Sequence, residues 1–302
     1  MRKLSGIFLV GLCLGAVGAV AVTASHGSSA TPKPIAVAEA ATTPSRTPSA
    51  KAEPQPEPKP EPEPKAAPKT QPAAEQEPEP GADVDAATLD KLVRGGNVSA
   101  VVFDRQTGKT SVSVHADRGY TSASLVKLLI ALSVLERGGP VADVQRMLSR
   151  SDDDLASRFW VAYGGTSIVT RWVAKLGLTG TRPPAEPGRW GDTRITAADV
   201  VKIYQYLLDH GPSAILAALH AATERGSDGF RQYFGIPDAA AGRTWAVKQG
   251  WSCCGPTRML HTTGVLGDDS RYIVAVLTEH PAGVDYPTAS KRVTDVVTKL
   301  LG

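Results

Sequence analysis

Ser124 and Lys127 stand three residues apart in the stretch Ser124-Leu125-Val126-Lys127. On a helix that spacing puts both side chains on one face, a turn apart. A serine hydroxyl is a weak nucleophile until a neighbouring base takes its proton, and a lysine whose ammonium is desolvated can be that base. The pair could therefore open an amide or ester carbonyl through an acyl-serine. In a chain of this composition about one such spacing arises by chance, and a capping serine beside a solvated lysine is the plain alternative. The pair needs context.

Two further stretches carry residues of the right kind. Ser151-Asp152-Asp153 precedes a helical pattern containing Phe159 and Trp160, so Ser151 is either a second hydroxyl for proton transfer or a helix N-cap followed by acidic first-turn residues. Trp245 to Trp251 reads as a strand, and Lys248 near its end offers a cation for a substrate carboxylate, with Gly250 letting the backbone approach a ligand. Otherwise Lys248 is a solvated strand lysine.

The elements that must position these residues follow from periodicity and punctuation. Leu125, Leu128, Leu129, Leu132 and Leu135 fall at helical spacing from Ser124 to Arg137, with Gly138-Gly139-Pro140 as the stop. Ser124 then lies in the first turn, where the amide dipoles favour a developing alkoxide. Upstream, Ala87 to Val93 reads as an amphipathic helix, and Val98 to Asp104 and Thr110 to His115 as a β-hairpin. Gly108-Lys109-Thr110 imitates a phosphate loop, but Phe103 occupies the first glycine position and no helix follows. A helical middle leads to Trp245, then come strands over Met259–Leu266 and Arg271–Thr278 and a last helix from about Pro287 to Leu301.

Taken in this order, the motifs resemble the penicillin-recognising serine hydrolases, specifically the class A β-lactamase branch as found in exported actinobacterial proteins. The resemblance runs from Asp85 onward and rests on Asp104 to Gly108, Ser124 to Lys127, Ser151 to Asp153, Trp190 to Thr193, and Lys248-Gln249-Gly250-Trp251. It implies an α+β fold: a five-stranded antiparallel sheet flanked by helices, with a helical subdomain inserted between Ser124 and Trp245 and the site in the cleft between them. It also implies roles. Ser124 attacks the carbonyl, Lys127 accepts its proton, Ser151 relays a proton to the leaving nitrogen, and Lys248 holds the substrate carboxylate, with Gln249, Gly250 and Trp251 as neighbouring substrate contacts. The backbone N–H groups of Ser124 and Trp251 form the oxyanion hole.

Two departures bear on activity. Where the family's second motif ends in asparagine this chain has Asp153, an acceptor that repels a substrate carbonyl and pairs with Lys127. The family's deacylating glutamate would be Glu186, in a loop before Trp190 that is several residues shorter than the family's. Two functions follow. One is an exported serine acyl hydrolase acting on a β-lactam or a peptidoglycan peptide; the other is a catalytically degenerate domain that uses the cleft to bind peptidoglycan or a protein partner. Two serines and two lysines in the right order favour the first.

The remaining sequence sets the context. Residues 1–30 combine Met1-Arg2-Lys3 with an apolar run from Ile7 to Val22 and small residues at Ala24 and Ala30, a signal peptide cut after export or retained as a membrane tether. Cys13 follows Leu12, where a lipidation signal calls for a small residue. Residues 31–82 hold fourteen of the 23 prolines and no aromatic residue, which makes them a disordered or polyproline II spacer able to carry a domain into a cell wall. Residues 83–302 contain all five tryptophans and form one domain. A net charge of +3 without a basic run excludes a nucleic-acid partner. No His-Glu-x-x-His and no paired histidine spacing calls for a metal, no motif calls for a cofactor, and no Gly-x-Ser-x-Gly elbow marks an α/β-hydrolase. Cys253 and Cys254 are adjacent: a vicinal bridge would be strained, and a reduced pair packed as small hydrophobes is the other reading.

Overall fold

The computed structural model describes residues 80, 81, 84–252 and 255–302, which fall in one compact unit. The signal-like residues, almost all of the proline-rich stretch, and Cys253 with Cys254 lie outside the described residues.

Five strands form an antiparallel sheet: β1 (Asn97–Asp104), β2 (Lys109–Val114), β5 (Trp245–Ser252), β6 (Thr257–Leu266) and β7 (Tyr272–Pro281), in the order β2-β1-β7-β6-β5. A second ladder joins β3 (Tyr120–Thr121) to β4 (Arg194–Ile195). The large sheet is buried on both faces, and strand alternation sorts its side chains into two cores. Val98, Ala100, Val102, Val274 and Val276 meet α1 (Ala86–Leu92) and α9 (Tyr286–Leu301) on one face. Val101, Ile273, Ala275 and Leu277 meet the helical subdomain on the other. Along α9, Ala289, Val293, Val296, Val297 and Leu300 are all buried at helical spacing, which is the stripe that covers the sheet.

Between the halves of the sheet the chain builds α2 (Lys127–Glu136), α3 (Val141–Ser149), α4 (Asp153–Tyr163), α5 (Thr166–Leu176), α6 (Ala197–Asp209), α7 (Ser213–His220) and the short α8 (Ile236–Ala239). This is the expected inserted subdomain, and the fold class stands as read. Helix α2 is buried from Lys127 through Val134, with apolar side chains on every side, as befits a central helix packed all round.

The hairpin motif at Asp104 proves structural. Asp104 Oδ1 accepts from the Gln106 N–H at 2.8 Å while Oδ2 pairs with Arg271 at 2.9 Å. That guanidinium holds the Asp104 carboxyl below its ordinary range, and the Asx turn it closes links β1 to β2.

Candidate active site

Ser124 does not sit in the first turn of the long helix. A 3₁₀ turn, Ala123–Val126, carries Ser124 and hands over to α2 at Lys127. The tighter turn follows from its anchorage: the Ser122 N–H donates to Thr193 O at 2.7 Å, so β3 cannot swing into helical register. Ala123, just before Ser124, has φ +46, a left-handed conformation that costs a β-carbon residue about 1 kcal/mol. His261 fixes the approach from the sheet side. Its Nε2–H donates to Thr121 O at 2.9 Å and its Nδ1 accepts from the Thr278 N–H at 3.2 Å. Burial pushes the ring down to about 4, so it stays neutral and keeps that tautomer.

Lys127 and Ser124 make the contact the spacing anticipates: Nζ lies 2.9 Å from Ser124 Oγ. The same ammonium donates to Ser151 O at 2.8 Å and Ser151 Oγ at 3.1 Å, and it pairs with Asp153. Lys127 is fully buried whereas the Asp153 side chain is 64% exposed, so the pair joins a desolvated cation to a carboxylate facing the cleft. Burial lowers the Lys127 ammonium below its usual value and Asp153 works against that shift. The Trp190 ring stands 4.9 Å from Nζ and screens one side of it from water.

Ser151 is not the helix N-cap. Asp152 caps α4, accepting from the Leu155 N–H at 3.0 Å, and leaves Ser151 free at φ +52 to aim its hydroxyl between two lysines. Lys248 Nζ donates to Ser151 Oγ at 2.9 Å and to Gln249 O at 2.8 Å. It is 1% exposed, so it is no solvated strand lysine. Burial and, after it, repulsion from Lys127 hold Lys248 well below the ordinary ammonium value.

The strand's other predicted contacts need correction. Gln249 does not face the cleft. Neighbouring strand residues project from opposite faces, and its amide donates to Gln232 O at 2.8 Å and Phe234 O at 2.7 Å on the far side of β5. Gly250 is required by a protein contact: a Cβ there would stand 3.0 Å from Ser122 O and 3.2 Å from Leu125, so glycine lets β5 close on the turn that carries Ser124. Trp251 does line the cleft, stacked on Phe230 at 4.8 Å and donating from Nε1 to Asp228 at 2.9 Å.

The cleft is a cavity of 720 Å³ lined by Ser124, Asp153, Trp190, Asp228, Phe230 and Trp251 among others. Glu186 is exposed and is not part of that lining. The short loop turns at once, with Arg189 N–H donating to Glu186 O at 2.9 Å, and the Trp160 indole holds Pro187 O at 2.8 Å. Asp228 and Phe230 are among the lining residues that sequence reasoning missed; they lie in a turn that shows only as Ser-Asp-Gly punctuation.

No protein-family model matches the chain. Proteins of Mycobacterium tuberculosis and Mycobacterium bovis bearing the name "Putative lipoprotein LppW" are 37% identical to it over 231 residues, which is 71% of this chain and 72% of theirs. The chain belongs to the LppW family. Among solved structures it is similar to the TLA-3 extended-spectrum β-lactamase, at TM-score 0.60 and 12% identity over 72% of this chain and 96% of that one. The β-lactamase of Sphaerobacter thermophilus matches at TM-score 0.57 and 20% identity, over 72% and 97% of the two chains. A class A β-lactamase from Mycobacterium abscessus matches at TM-score 0.57 and 20% identity, over 72% and 96%. This LppW-family chain thus has the class A β-lactamase fold.

Proposed function

We infer that this LppW-family domain is an exported serine acyl hydrolase that opens an amide carbonyl through an acyl-enzyme on Ser124. The observation that carries the reading is the 2.9 Å contact between Ser124 Oγ and a fully buried Lys127 at the floor of an open cavity. Lys127, in its neutral form, takes the Ser124 proton. Ser151, held by both lysines, passes a proton to the leaving nitrogen. Lys248 orients Ser151 and presents positive charge toward a substrate carboxylate. The Ser124 and Trp251 N–H groups receive the oxyanion. The substrate class is a β-lactam or a peptidoglycan peptide, and the partner surface is the cell wall.

The placement is exported and membrane-associated. The relatives' name speaks of a lipoprotein, and here the apolar run from Ile7 to Val22 is the segment that would tether the chain. Among the described residues no helix is long and apolar enough to cross a membrane.

A second reading, a non-catalytic domain that binds peptidoglycan or a protein partner, draws on the charge pairing of Asp153 with Lys127 and on the position of Glu186 outside the cleft. Labelled penicillin and intact mass over time separate the two. A Ser124 adduct establishes the hydrolase, its decay tells a β-lactamase from a penicillin-binding protein, and no adduct leaves the binding domain.

A further inference from the structure

Glu186 delivers no carboxylate to the cleft, whereas Asp153, Asp192 and Asp228 line it, and of these Asp153 is the one paired with Lys127. Asp153 lines the same cavity as Ser124, and the two side chains contact a single atom, Lys127 Nζ. Only Oδ1 of Asp153 is engaged by that nitrogen. The Asp153 side chain is 64% exposed and lines the cavity. A carboxylate within one bridging nitrogen of the nucleophile, lining the space that a substrate enters, has the placement of a general base for water.

We propose that Asp153 is the base that activates the deacylating water, so that the acidic residue which closes the second motif replaces a loop glutamate. This rests on the acyl-enzyme reading. In the step, the water oxygen attacks the acyl carbonyl carbon while its proton passes to Asp153 Oδ2. The tetrahedral adduct collapses by breaking the bond from carbon to Ser124 Oγ, and Oγ takes a proton from the Lys127 ammonium. The neutral Lys127 amine then recovers the proton held by Asp153, restoring the ion pair, and the products are a free carboxylic acid and the resting enzyme. The same pairing that hinders Lys127 as a base for acylation thus returns its proton after hydrolysis.

The test uses the domain with a fluorescent penicillin, following formation and decay of the Ser124 adduct by intact mass in wild type, Asp153→Asn, Asp153→Glu and Glu186→Gln. Removing a general base typically costs 10²–10⁴-fold, so the Asp153→Asn adduct forms at least as fast as wild type and decays about 100-fold more slowly. Asp153→Glu recovers part of the decay, and Glu186→Gln decays like wild type. The wild-type adduct decays more slowly in acid, a dependence that Asp153→Asn lacks; the wild-type profile stands by itself if the asparagine variant does not fold. Equal decay in Asp153→Asn, a Glu186→Gln adduct that persists, or a wild-type adduct that never decays overturns this role and leaves Ser124 as nucleophile. No adduct in the wild type overturns both.

Discussion

Lys127 and Lys248 donate to the same atom, Ser151 Oγ, at 3.1 and 2.9 Å, and neither is exposed to solvent by more than 1%. Two buried ammonium groups flanking one hydroxyl repel each other, and among the described residues Lys127 alone of the two has a carboxylate in contact. Such an arrangement is costly to folding and suited to chemistry, because it keeps protons mobile at the hydroxyl proposed to deliver one.

The first expectation concerns Ser124. It is the hydroxyl in contact with Lys127 that also lines the cavity. Ser124→Ala therefore forms no covalent adduct with labelled penicillin while its thermal unfolding stays within a few degrees of wild type. An adduct in this variant would falsify the assignment of nucleophile.

Lys248 links stability to pH. Its folded pKa is depressed, whereas an unfolded lysine titrates near 10.4. Between those two values the unfolded chain binds more protons, so stability rises with pH; below the folded value the whole penalty is present. Lys248→Met lacks this dependence. Urea unfolding of both proteins at pH 7 and pH 10 is expected to show wild type gaining on the variant as the pH climbs. Parallel behaviour at both values would mean that the ammonium carries no penalty.

His261 works in the same direction, over a lower pH range. Folded it titrates at about 4 and unfolded near 6.5, so acid favours the unfolded chain between those values. The ring is expected to withdraw about 2 kcal/mol of stability between pH 7 and pH 5. His261→Leu loses a hydrogen bond at each end and is weaker at pH 7, yet its stability falls less across the same interval. The slope, measured by denaturant unfolding, is the decisive quantity.

Gly250→Ala tests the close approach of β5 to the nucleophile turn. The added carbon meets Ser122 O at 3.0 Å and Leu125 at 3.2 Å, and overpacking of this kind costs roughly 1–3 kcal/mol. Because the displaced atoms flank Ser124, the acylation rate is expected to drop about tenfold or more. An unchanged rate with lowered stability would show that the turn moves without disturbing the serine.

Much of this site was legible because Ser124, Lys127, Ser151 and Lys248 each announce a chemistry and occur in a telling order. The strands were legible because both faces of the sheet are buried, leaving the long apolar runs around Val101 and Val276. Other features were hidden for physical reasons. Gln249 adjoins Lys248 in sequence, but on a sheet buried on both faces a polar residue on either side is a candidate, and only the carbonyls of Gln232 and Phe234 show which way it turns. Glu186 was placed by its position in the loop before Trp190, which says nothing of where a carboxylate points. β3 and β4 span two residues each, too short for any period to appear.

Strand β1 lies between β2 and β7, so the earliest strand of the sheet is bracketed by the hairpin that follows it and by one of the last segments to be made. Until Tyr272–Pro281 arrives, β1 lacks one neighbour, β6 lacks its inner partner, and Lys248 has no platform from which to reach Ser151. Long-range pairing of this kind forms late, once the entropy of closing a large loop has been met. A nascent or truncated chain that ends before β7 therefore carries its serine without its chemistry, and capacity to form the adduct is a marker of a fully synthesised molecule, absent from shorter translation products rather than graded among them.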